Sequence, residues 1–142
     1  NISVVGKHVL VINRSDIVGR PLSSMLIQDN DEYANATVTV CHDRSDQNAM
    51  KKIAAAADVI VVAVGQPNFL TPDFVKPGAI VIDVGINRIK KNERTVVVGD
   101  VHPDVWEIAG YVSPVPGGCG VITVACLLQN TVLAAKMLSG LL

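Results

Sequence analysis

Residues 8–28 read HVLVINRSDIVGRPLSSMLIQ, and this stretch decides the fold class. His8 to Ile12 is mostly apolar and β-branched, which predicts a buried strand that ends at Asn13. Pro21 to Gln28 has a helical pattern with proline in its first turn, where the missing N–H costs nothing. A buried strand followed so soon by a helix predicts the beginning of a parallel β-α-β unit.

The same alternation continues along the chain. It predicts further strands at 37–41, 58–64 and 79–84, a helix at 47–57 capped by Ser45 or Asp46, shorter extended segments at 96–98 and 111–113, and a long apolar helix at 121–142. Strands that alternate with helices indicate a parallel sheet. The predicted fold is therefore α/β: a doubly wound, Rossmann-like, mostly parallel sheet with helices on both faces, formed by one domain over residues 1–142.

The amino-acid composition agrees with this fold and gives no indication of a nucleic-acid or membrane partner. Of the 142 residues, 49% are hydrophobic but only 4% are aromatic, so the core must be aliphatic, as buried parallel strands require. The net charge of -1 gives no reason to expect a nucleic acid or an anionic membrane as a partner. No apolar run reaches the roughly 20 residues that cross a bilayer. A start at Asn1 without an initiator Met suggests one domain of a larger protein.

Three cysteines, Cys41, Cys119 and Cys126, cannot all pair, and none has CxxC spacing. We therefore expect free thiols in a reducing compartment, which means the cytoplasm or the mitochondrion. Cys41 and Cys126 lie in apolar runs and are predicted to be core thiols. Cys119 lies in a glycine-rich loop and is predicted to be accessible.

Doubly wound sheets bind ligands beyond the carboxyl ends of their strands, which selects five loops: 13–20, 41–46, 64–70, 84–88 and 113–120. In the first loop, Gly19 allows close backbone approach, Ser15 offers a hydroxyl and Arg14 offers positive charge, as a pyrophosphate requires. The loop is not G-x-G-x-x-G, because Asn13 and Ser15 stand where glycines would be. An ordinary turn is the alternative for this loop taken alone.

The second loop, Cys41-His42-Asp43-Arg44-Ser45-Asp46, lies where such folds meet the adenosine ribose. An acidic residue there favours the ribose diol of NAD, and an arginine favours the phosphate of NADP, so adjacent Asp43 and Arg44 argue in opposite directions. A helix cap with a solvated ion pair is the alternative. His42 alone is more typical of a structural histidine than of a catalyst.

The remaining loops are rich in glycine. Gly65 and Gly85 each follow a buried strand and would let a ring or ribose approach the backbone. Asp83 is enclosed by apolar residues, so a structural role, in which its carboxylate is paired with groups inside the fold, is at least as well supported as a catalytic one. Residues 99–102 could suggest a metal site, but further ligands at the required spacing are missing, and no metal is predicted. Two prolines and three glycines in 113–120 predict a stiff, ligand-facing loop before the last helix.

Taken together and in this order, the loops resemble the methylenetetrahydrofolate dehydrogenase/cyclohydrolase family, in its C-terminal NAD(P)-binding domain. The motifs that carry the resemblance cover essentially the whole chain: Gly6-Lys7, Arg14-Ser15-x-Ile17-Val18-Gly19-x-Pro21, Thr37-Val38-Thr39 with Cys41-His42, Ala57-Asp58-Val59, Ala63-Val64-Gly65-x-Pro67, Lys76-Pro77-Gly78-Ala79, Val81 to Asn87, Gly99-Asp100-Val101, Pro114-Val115-Pro116-Gly117-Gly118-x-Gly120, Thr123-x-Ala125 and Asn130-Thr131.

The resemblance implies an oxidoreductase of one-carbon metabolism that transfers a hydride from 5,10-methylenetetrahydrofolate to NAD or NADP, joined to a hydrolase that opens the methenyl product. It implies a folate substrate and a homodimer. The implied cofactor-binding residues are Asn13, Arg14, Ser15, Ile17, Val18, Gly19, His42, Asp43, Arg44, Ser45, Val64, Gly65, Gly85, Ile86 and Thr123. The implied substrate-facing residues are Pro116, Gly117, Gly118 and Gly120.

Three positions depart from the family's usual pattern. Asn13 replaces a glycine, which would tighten the pyrophosphate turn. Asp43 replaces a serine at a position that resembles the one facing the 2′-phosphate, which tilts the prediction mildly towards NAD, while Arg14 and Arg44 keep NADP as the alternative. Cys119-Gly120-Val121-Ile122 replaces Val-Gly-Pro-Met and alters the folate-facing edge.

The family's catalytic Tyr-x-x-x-Lys belongs to an N-terminal substrate domain, and no Tyr-x-x-x-Lys occurs in this chain. We therefore predict no catalytic residue here, an inactive isolated domain, and an active full-length enzyme. The alternative is a Rossmann module that has lost productive cofactor or folate binding. A Rossmann dehydrogenase of the shikimate or amino-acid type is a third possibility, but it does not explain the Pro-Val-Pro-Gly-Gly loop.

Overall fold

The central sheet has five parallel strands, which lie side by side in the order 37–41, 8–12, 59–62, 80–83 and 111–112. The structure is a computed structural model that describes residues 2–30, 33–91 and 94–141. The strands are β1 (His8–Ile12), β2 (Thr37–Cys41), β3 (Val59–Val62), β4 (Ile80–Asp83) and β7 (Tyr111–Val112), and a separate antiparallel hairpin joins β5 (Asn87–Lys91) to β6 (Arg94–Val98). The helices are α1 (Gly19–Leu26), α2 (Gln47–Ala56) and α3 (Cys119–Leu138), with 3₁₀ turns at Pro72–Phe74 and Pro103–Glu107.

Two hydrophobic layers cover opposite faces of this sheet, because successive side chains of a strand point to opposite sides. On one face Val9 and Val11 of β1 pack with Leu22 and Leu26 of α1. On the other face Leu10 and Ile12 pack with Met50 and Ala54 of α2 and with the 3₁₀ turn at Phe74. The predicted doubly wound, two-faced sheet with an aliphatic core is confirmed.

Several element boundaries differ from the sequence-based prediction. Helix α1 begins at Gly19, two residues before Pro21, so the proline occupies the third helical position. Of the two candidate caps for α2, Asp46 is the cap, and its side chain accepts the N–H of Ala49 at 2.8 Å. Strand β5 was not predicted, because its sequence NRIKK is mostly polar and only one of its faces is partly covered.

Helix α3 is the one helix among the described residues that does not pack on the sheet. It has no buried residue, and every side chain from Gly120 to Leu138 is exposed. An 18-residue stretch of this 20-residue helix has a mean hydropathy of 1.7, so the helix is long and apolar enough, by length and composition alone, to cross a membrane, although no continuous apolar run has that length. The few polar residues of the helix interrupt its apolar runs, but its mean hydropathy stays high.

The three cysteines are free thiols. Cys41 is buried as predicted, and Cys119, which is the first residue of α3 and not part of the loop before it, is partly exposed. The prediction that Cys126 is a core thiol is wrong: it is exposed on α3, since an apolar run on a helix is buried only where another surface covers it.

Candidate functional site

The site candidates lie along one edge of the sheet, where β1, β2, β3 and β4 all end. Because these strands are parallel and paired in register, Ile12 lies opposite Cys41 and Val62, and Val62 lies opposite Asp83. Strands are spaced about 4.8 Å apart, so the loops that follow the four strands extend over roughly 14 Å. An extended ligand with several groups can contact all of them at once.

The first loop is organised by the side chain of Asn13. Its Oδ1 accepts the Ser15 N–H at 2.8 Å, the Ser15 hydroxyl at 2.7 Å and the Gly19 N–H at 2.9 Å, while its Nδ2 donates to the Ala63 carbonyl at 2.5 Å. The carboxamide therefore accepts the first N–H of α1, whose N-cap residue Val18 provides no side-chain cap, and ties β1 to the end of β3. The Ser15 hydroxyl also accepts the Val18 N–H, so it is used within the loop.

The close turn between β1 and α1 depends on Gly19. A Cβ atom on this residue would lie 2.2 Å from the Asn13 carbonyl oxygen and 2.8 Å from the Arg14 nitrogen, so a side chain cannot fit. Among the described residues, the backbone N–H groups of Asp16 and Ile17 have no acceptor, and the Ile17 side chain is 88% exposed. This turn thus offers two backbone donors without an acceptor among the described residues, beside the half-exposed Arg14 side chain.

The second loop carries an exposed cluster of charges. Arg14 Nη2 lies 3.1 Å from Asp43 Oδ1, and Arg44 Nε lies 3.4 Å from Asp43 Oδ2. The hydrogen bond from Arg14 holds the pKa of the Asp43 carboxyl below its ordinary value, and both guanidinium charges act in the same direction. The loop itself is closed by Ser45, whose hydroxyl accepts the His42 N–H at 3.0 Å.

His42 has a structural role in this loop, since its Nδ1 accepts the Arg44 N–H at 3.1 Å. The ring lines a small cavity of about 350 Å³ with Asp43 and with Asn13, Ala63 and Val64 from the neighbouring strand ends. The structure thus brings four predicted residues from the first three loops to one cavity, namely Asn13, His42, Asp43 and Val64.

Two buried aspartates hold the third and fourth loops in place. Asp100 is fully buried, and its Oδ2 accepts the N–H groups of Val64 at 2.7 Å and Gly65 at 2.9 Å. Its Oδ1 accepts the Asn87 amide at 2.8 Å. Because Asp100 fixes the backbone at Val64 and Gly65, it determines how that loop faces the edge.

Asp83 completes this network from the end of β4. Its carboxylate accepts the N–H groups of Gly85 at 2.9 Å, Asp100 at 3.0 Å and Val101 at 3.0 Å. Burial raises the pKa of the Asp83 carboxyl and the nearby Asp100 charge adds to this, while the three N–H groups oppose it. Its side chain is committed to the fold, which confirms the pairing interpretation.

An apolar groove of about 490 Å³ lies between the fourth and fifth loops. One wall is formed by residues 83–86 and Val97 of the hairpin, and the other by residues 114–121, which include a cis peptide bond at Val115-Pro116. The predicted residues Gly85, Ile86, Pro116, Gly117, Gly118 and Gly120 all line it. The groove joins the predicted cofactor side to the predicted substrate side.

Thr123 is not brought into this groove. It lies one turn into α3, outside the groove lining, and its hydroxyl donates to the Cys119 carbonyl of its own helix at 2.8 Å. Its proposed contact with the cofactor stays a prediction.

Two contributors to the site were missed from the sequence. Val97 reaches the groove from β6, which the sequence presents only as a short apolar triplet. Asp100 was considered only as part of a weak metal pattern. The sequence does contain a signal for Asp100, because it is a lone carboxylate directly after an apolar strand and a glycine. A charge buried at such a place needs several hydrogen-bond partners. No group of three or more His, Cys, Asp or Glu side chains within 2–30, 33–91 and 94–141 could hold a metal ion.

Comparison with known proteins gives a consistent result. Residues 1–139 match the family described as "Tetrahydrofolate dehydrogenase/cyclohydrolase, NAD(P)-binding domain". The chain is 48% identical over 143 residues to the bifunctional protein FolD of Caldicellulosiruptor saccharolyticus, an alignment that covers 100% of this chain and 48% of that protein. The chain therefore spans about half the length of the curated relatives that it matches.

Solved structures give the same match. A 5,10-methylenetetrahydrofolate dehydrogenase from the silkworm, Bombyx mori, superposes with a TM-score of 0.85 at 39% identity, over 96% of this chain and 47% of that one. The Trypanosoma brucei methylenetetrahydrofolate dehydrogenase-cyclohydrolase, complexed with NADP cofactor and an inhibitor, gives 0.82 at 39% identity, over 92% of this chain and 44% of that one.

Proposed function

Because this chain belongs to the tetrahydrofolate dehydrogenase/cyclohydrolase family, as its NAD(P)-binding domain, we propose that it holds NAD or NADP for a folate-linked oxidoreductase. The reaction proposed for the full-length protein is transfer of a hydride from 5,10-methylenetetrahydrofolate to the nicotinamide, followed by hydrolysis of the methenyl product. The observation that carries the proposal is the assembly of five strand-end loops along one edge, ending in the groove between Gly85-Ile86 and 114–121.

The residues along this edge fit a dinucleotide. In the first loop, the N–H groups of Asp16 and Ile17 have no acceptor among the described residues and lie near the Arg14 cation, which suits a pyrophosphate near the start of α1. Gly65 leaves open space beyond the end of β3, where a flat ring or a ribose can approach. The groove beyond it is predominantly apolar, as a nicotinamide and a pterin ring require.

In this proposal the chain binds and orients rather than moving protons. The bound nicotinamide supplies the hydride acceptor. Asp100 fixes the backbone of the third loop at Gly65, and Asp83 fixes that of the fourth loop at Gly85, so that Gly85 forms part of one ordered wall of the groove. The stiff 114–120 segment forms the opposite wall and limits the access of water to the groove.

We assign proton transfer and most folate contacts to the part of the relatives that this chain does not match. This chain contains no Tyr-x-x-x-Lys, and among its described residues no carboxylate or histidine has an unused side chain inside the groove. Helix α3 exposes an apolar surface of about 20 residues, which suits packing against another domain or a second copy in a homodimer. The domain alone is therefore expected to be inactive.

The alternative, a module that has lost productive binding, finds no support in the site. Its motivation was the three departures from the usual pattern. Asn13 rebuilds the first turn with its side chain, and the 119–122 substitutions leave a continuous groove wall.

A reducing compartment, with the cytoplasm or mitochondrion as the location, is proposed from the three free thiols. The absence of a nucleic-acid partner is proposed from the net charge of -1.

Titration of the chain with NADH and with NADPH, followed by nucleotide fluorescence, tests the cofactor assignment. We expect saturable binding of at least one of them, and binding of neither would overturn the proposal. For the whole reaction, a full-length protein that contains this chain should oxidise 5,10-methylenetetrahydrofolate with NAD or NADP. Failure to do so with either nucleotide would overturn the proposed activity and leave the binding result intact.

A further inference from the structure

The charged cluster of Arg14, Asp43 and Arg44 lies where the two nucleotides differ. In a doubly wound sheet, the residue just beyond the second strand meets the ribose of the adenosine, which has a free 2′-hydroxyl in NAD and a 2′-phosphate in NADP. Here Asp43 stands two residues after Cys41, the end of β2, and lines the cavity between the first and second loops. Its charge therefore acts on the one group that distinguishes NADP from NAD.

Both arginines that could bind a phosphate are already paired with this carboxylate. Arg14 lies on one of its oxygens at 3.1 Å and Arg44 on the other at 3.4 Å. A 2′-phosphate would have to draw both guanidinium groups away from Asp43, and the aspartate would then stay beside the phosphate without its partners. A ribose diol can instead donate directly to the carboxylate and leave both ion pairs in place.

Because the cluster is exposed, the ion pairs of Asp43 with the two arginines discriminate only weakly against NADP by themselves. The side chains of Arg14 and Arg44 are 55% and 82% exposed, and exposed ion pairs are weak, so either arginine can turn away at little cost. The negative charge of Asp43 persists wherever the arginines point. A phosphomonoester carries between one and two negative charges at neutral pH and is repelled by it.

We infer that Asp43 is a specificity-determining residue that makes this site prefer NAD to NADP. The inference rests on the proposed cofactor-binding function. It is independent of the dehydrogenase chemistry, because it concerns only which dinucleotide the edge of the sheet retains.

Dissociation constants of NADH and NADPH, measured by nucleotide fluorescence on the full 142-residue chain, test this inference. For the unchanged chain we expect NADH to bind at least about tenfold more tightly than NADPH. Asp43→Asn keeps the shape of the side chain and removes its charge, and Asp43→Ser removes the charge and also shortens the side chain. Both should move the affinity ratio towards NADPH by about tenfold or more, mainly by strengthening NADPH binding.

The matched control is Asp104→Asn. It removes one exposed carboxylate from the 3₁₀ turn at Pro103–Glu107, where the charge is paired with His102 and with neither arginine of the second-loop cluster, and should leave the ratio unchanged. Raised salt should weaken NADPH binding to Asp43→Asn more than NADH binding, since NADPH carries a 2′-phosphate beside the arginines in addition to the pyrophosphate that both nucleotides share.

The outcomes separate this inference from the proposed function. If neither nucleotide binds the unchanged chain, the cofactor-binding function itself fails. If both bind and NADPH is equal to or tighter than NADH, or if Asp43→Asn and Asp43→Ser leave the ratio where it was, the role of Asp43 is refuted and the binding function stands.

Discussion

The Asp83 carboxylate accepts the backbone N–H of Asp100 at 3.0 Å, which places two buried aspartates next to each other behind the nucleotide edge. Both carboxylates are used entirely on groups of the fold. Glycine makes this approach possible, because a Cβ on Gly85 would lie 2.3 Å from the Asp100 carboxyl group. The pair links the ends of β3 and β4 to the segment after the hairpin, so it sets the shape of the groove without contacting a ligand.

Removal of the Asp100 carboxylate should be among the more damaging single changes in this domain. Asp100→Ala leaves the N–H groups of Val64 and Gly65 and the Asn87 amide without their acceptor in a buried setting. We expect the free energy of unfolding, measured by urea denaturation, to fall by about 2–5 kcal/mol. Asp104→Ala, at an exposed position, should change it by less than about 0.5 kcal/mol. A loss below about 1 kcal/mol for Asp100→Ala would contradict this structural role.

A methyl group at position 19 should disrupt the first loop. The Cβ of Gly19→Ala would lie 2.2 Å from the Asn13 carbonyl oxygen, a backbone atom that cannot move without opening the turn. We expect nucleotide affinity to fall at least about tenfold, and stability to fall by about 1–3 kcal/mol. Gly120→Ala, also in the first turn of a helix but with nothing within 4 Å, is the control for stability and should be tolerated. Unchanged nucleotide binding in Gly19→Ala would refute the close-approach argument.

The three thiols should react at different rates, and one should report on the groove. Cys41 is buried and burial raises the pKa of its thiol, so it should react slowly with a maleimide in the folded protein. Cys126 is exposed and should react fast. Cys119 lines the groove, and a saturating nucleotide should slow its modification at least about threefold while Cys126 is unaffected. Mass spectrometry of the labelled peptides measures each rate, and equal protection of Cys119 and Cys126 would contradict this placement.

The opposite edge of the sheet should contribute a pH-dependent part of the stability. Asp58 accepts from Lys76 Nζ at 2.6 Å and from the His8 N–H at 2.9 Å, and these bonds, with Lys76 the larger, hold the pKa of its carboxyl below the ordinary value. Its stabilisation is thus complete above the ordinary aspartate pKa of about 3.9 and is lost as pH falls through the lowered value.

Asp58→Asn tests this linkage. The variant should unfold at lower urea than the unchanged chain at pH 6, and the difference between the two should shrink steadily below about pH 4. Nucleotide affinity at pH 7 should be unaffected, because Asp58 precedes β3 at the edge away from the binding loops. A difference that stays constant from pH 6 to pH 3 would show that the carboxylate charge is not the stabilising feature.

The sequence predicted two strands to the residue, the buried β1 and the partly exposed edge strand β2, while the bounds of the fully buried β3 were predicted too wide. The bounds of β1 and β2 agree with prediction residue for residue, because continuous β-branched runs between polar loops have few other solutions. The hairpin was harder, since a strand such as NRIKK is defined by its partner and not by its own pattern. The apolar pattern of α3 predicted a helix correctly and its surroundings wrongly, as Cys126 shows.

What the amino-acid sequence determined by itself is the alternation of strand and helix, and with it the edge of the sheet at which ligand-binding loops must gather. These features depend on periodicities within a few residues. What only the tertiary structure decided is how the polar side chains of that edge are used. Asn13 reaches the Ala63 carbonyl across 50 positions, Arg14 reaches Asp43 across 29, and Asp100 reaches Val64 across 36. Such contacts depend on the order and register of the strands, which local sequence patterns do not contain.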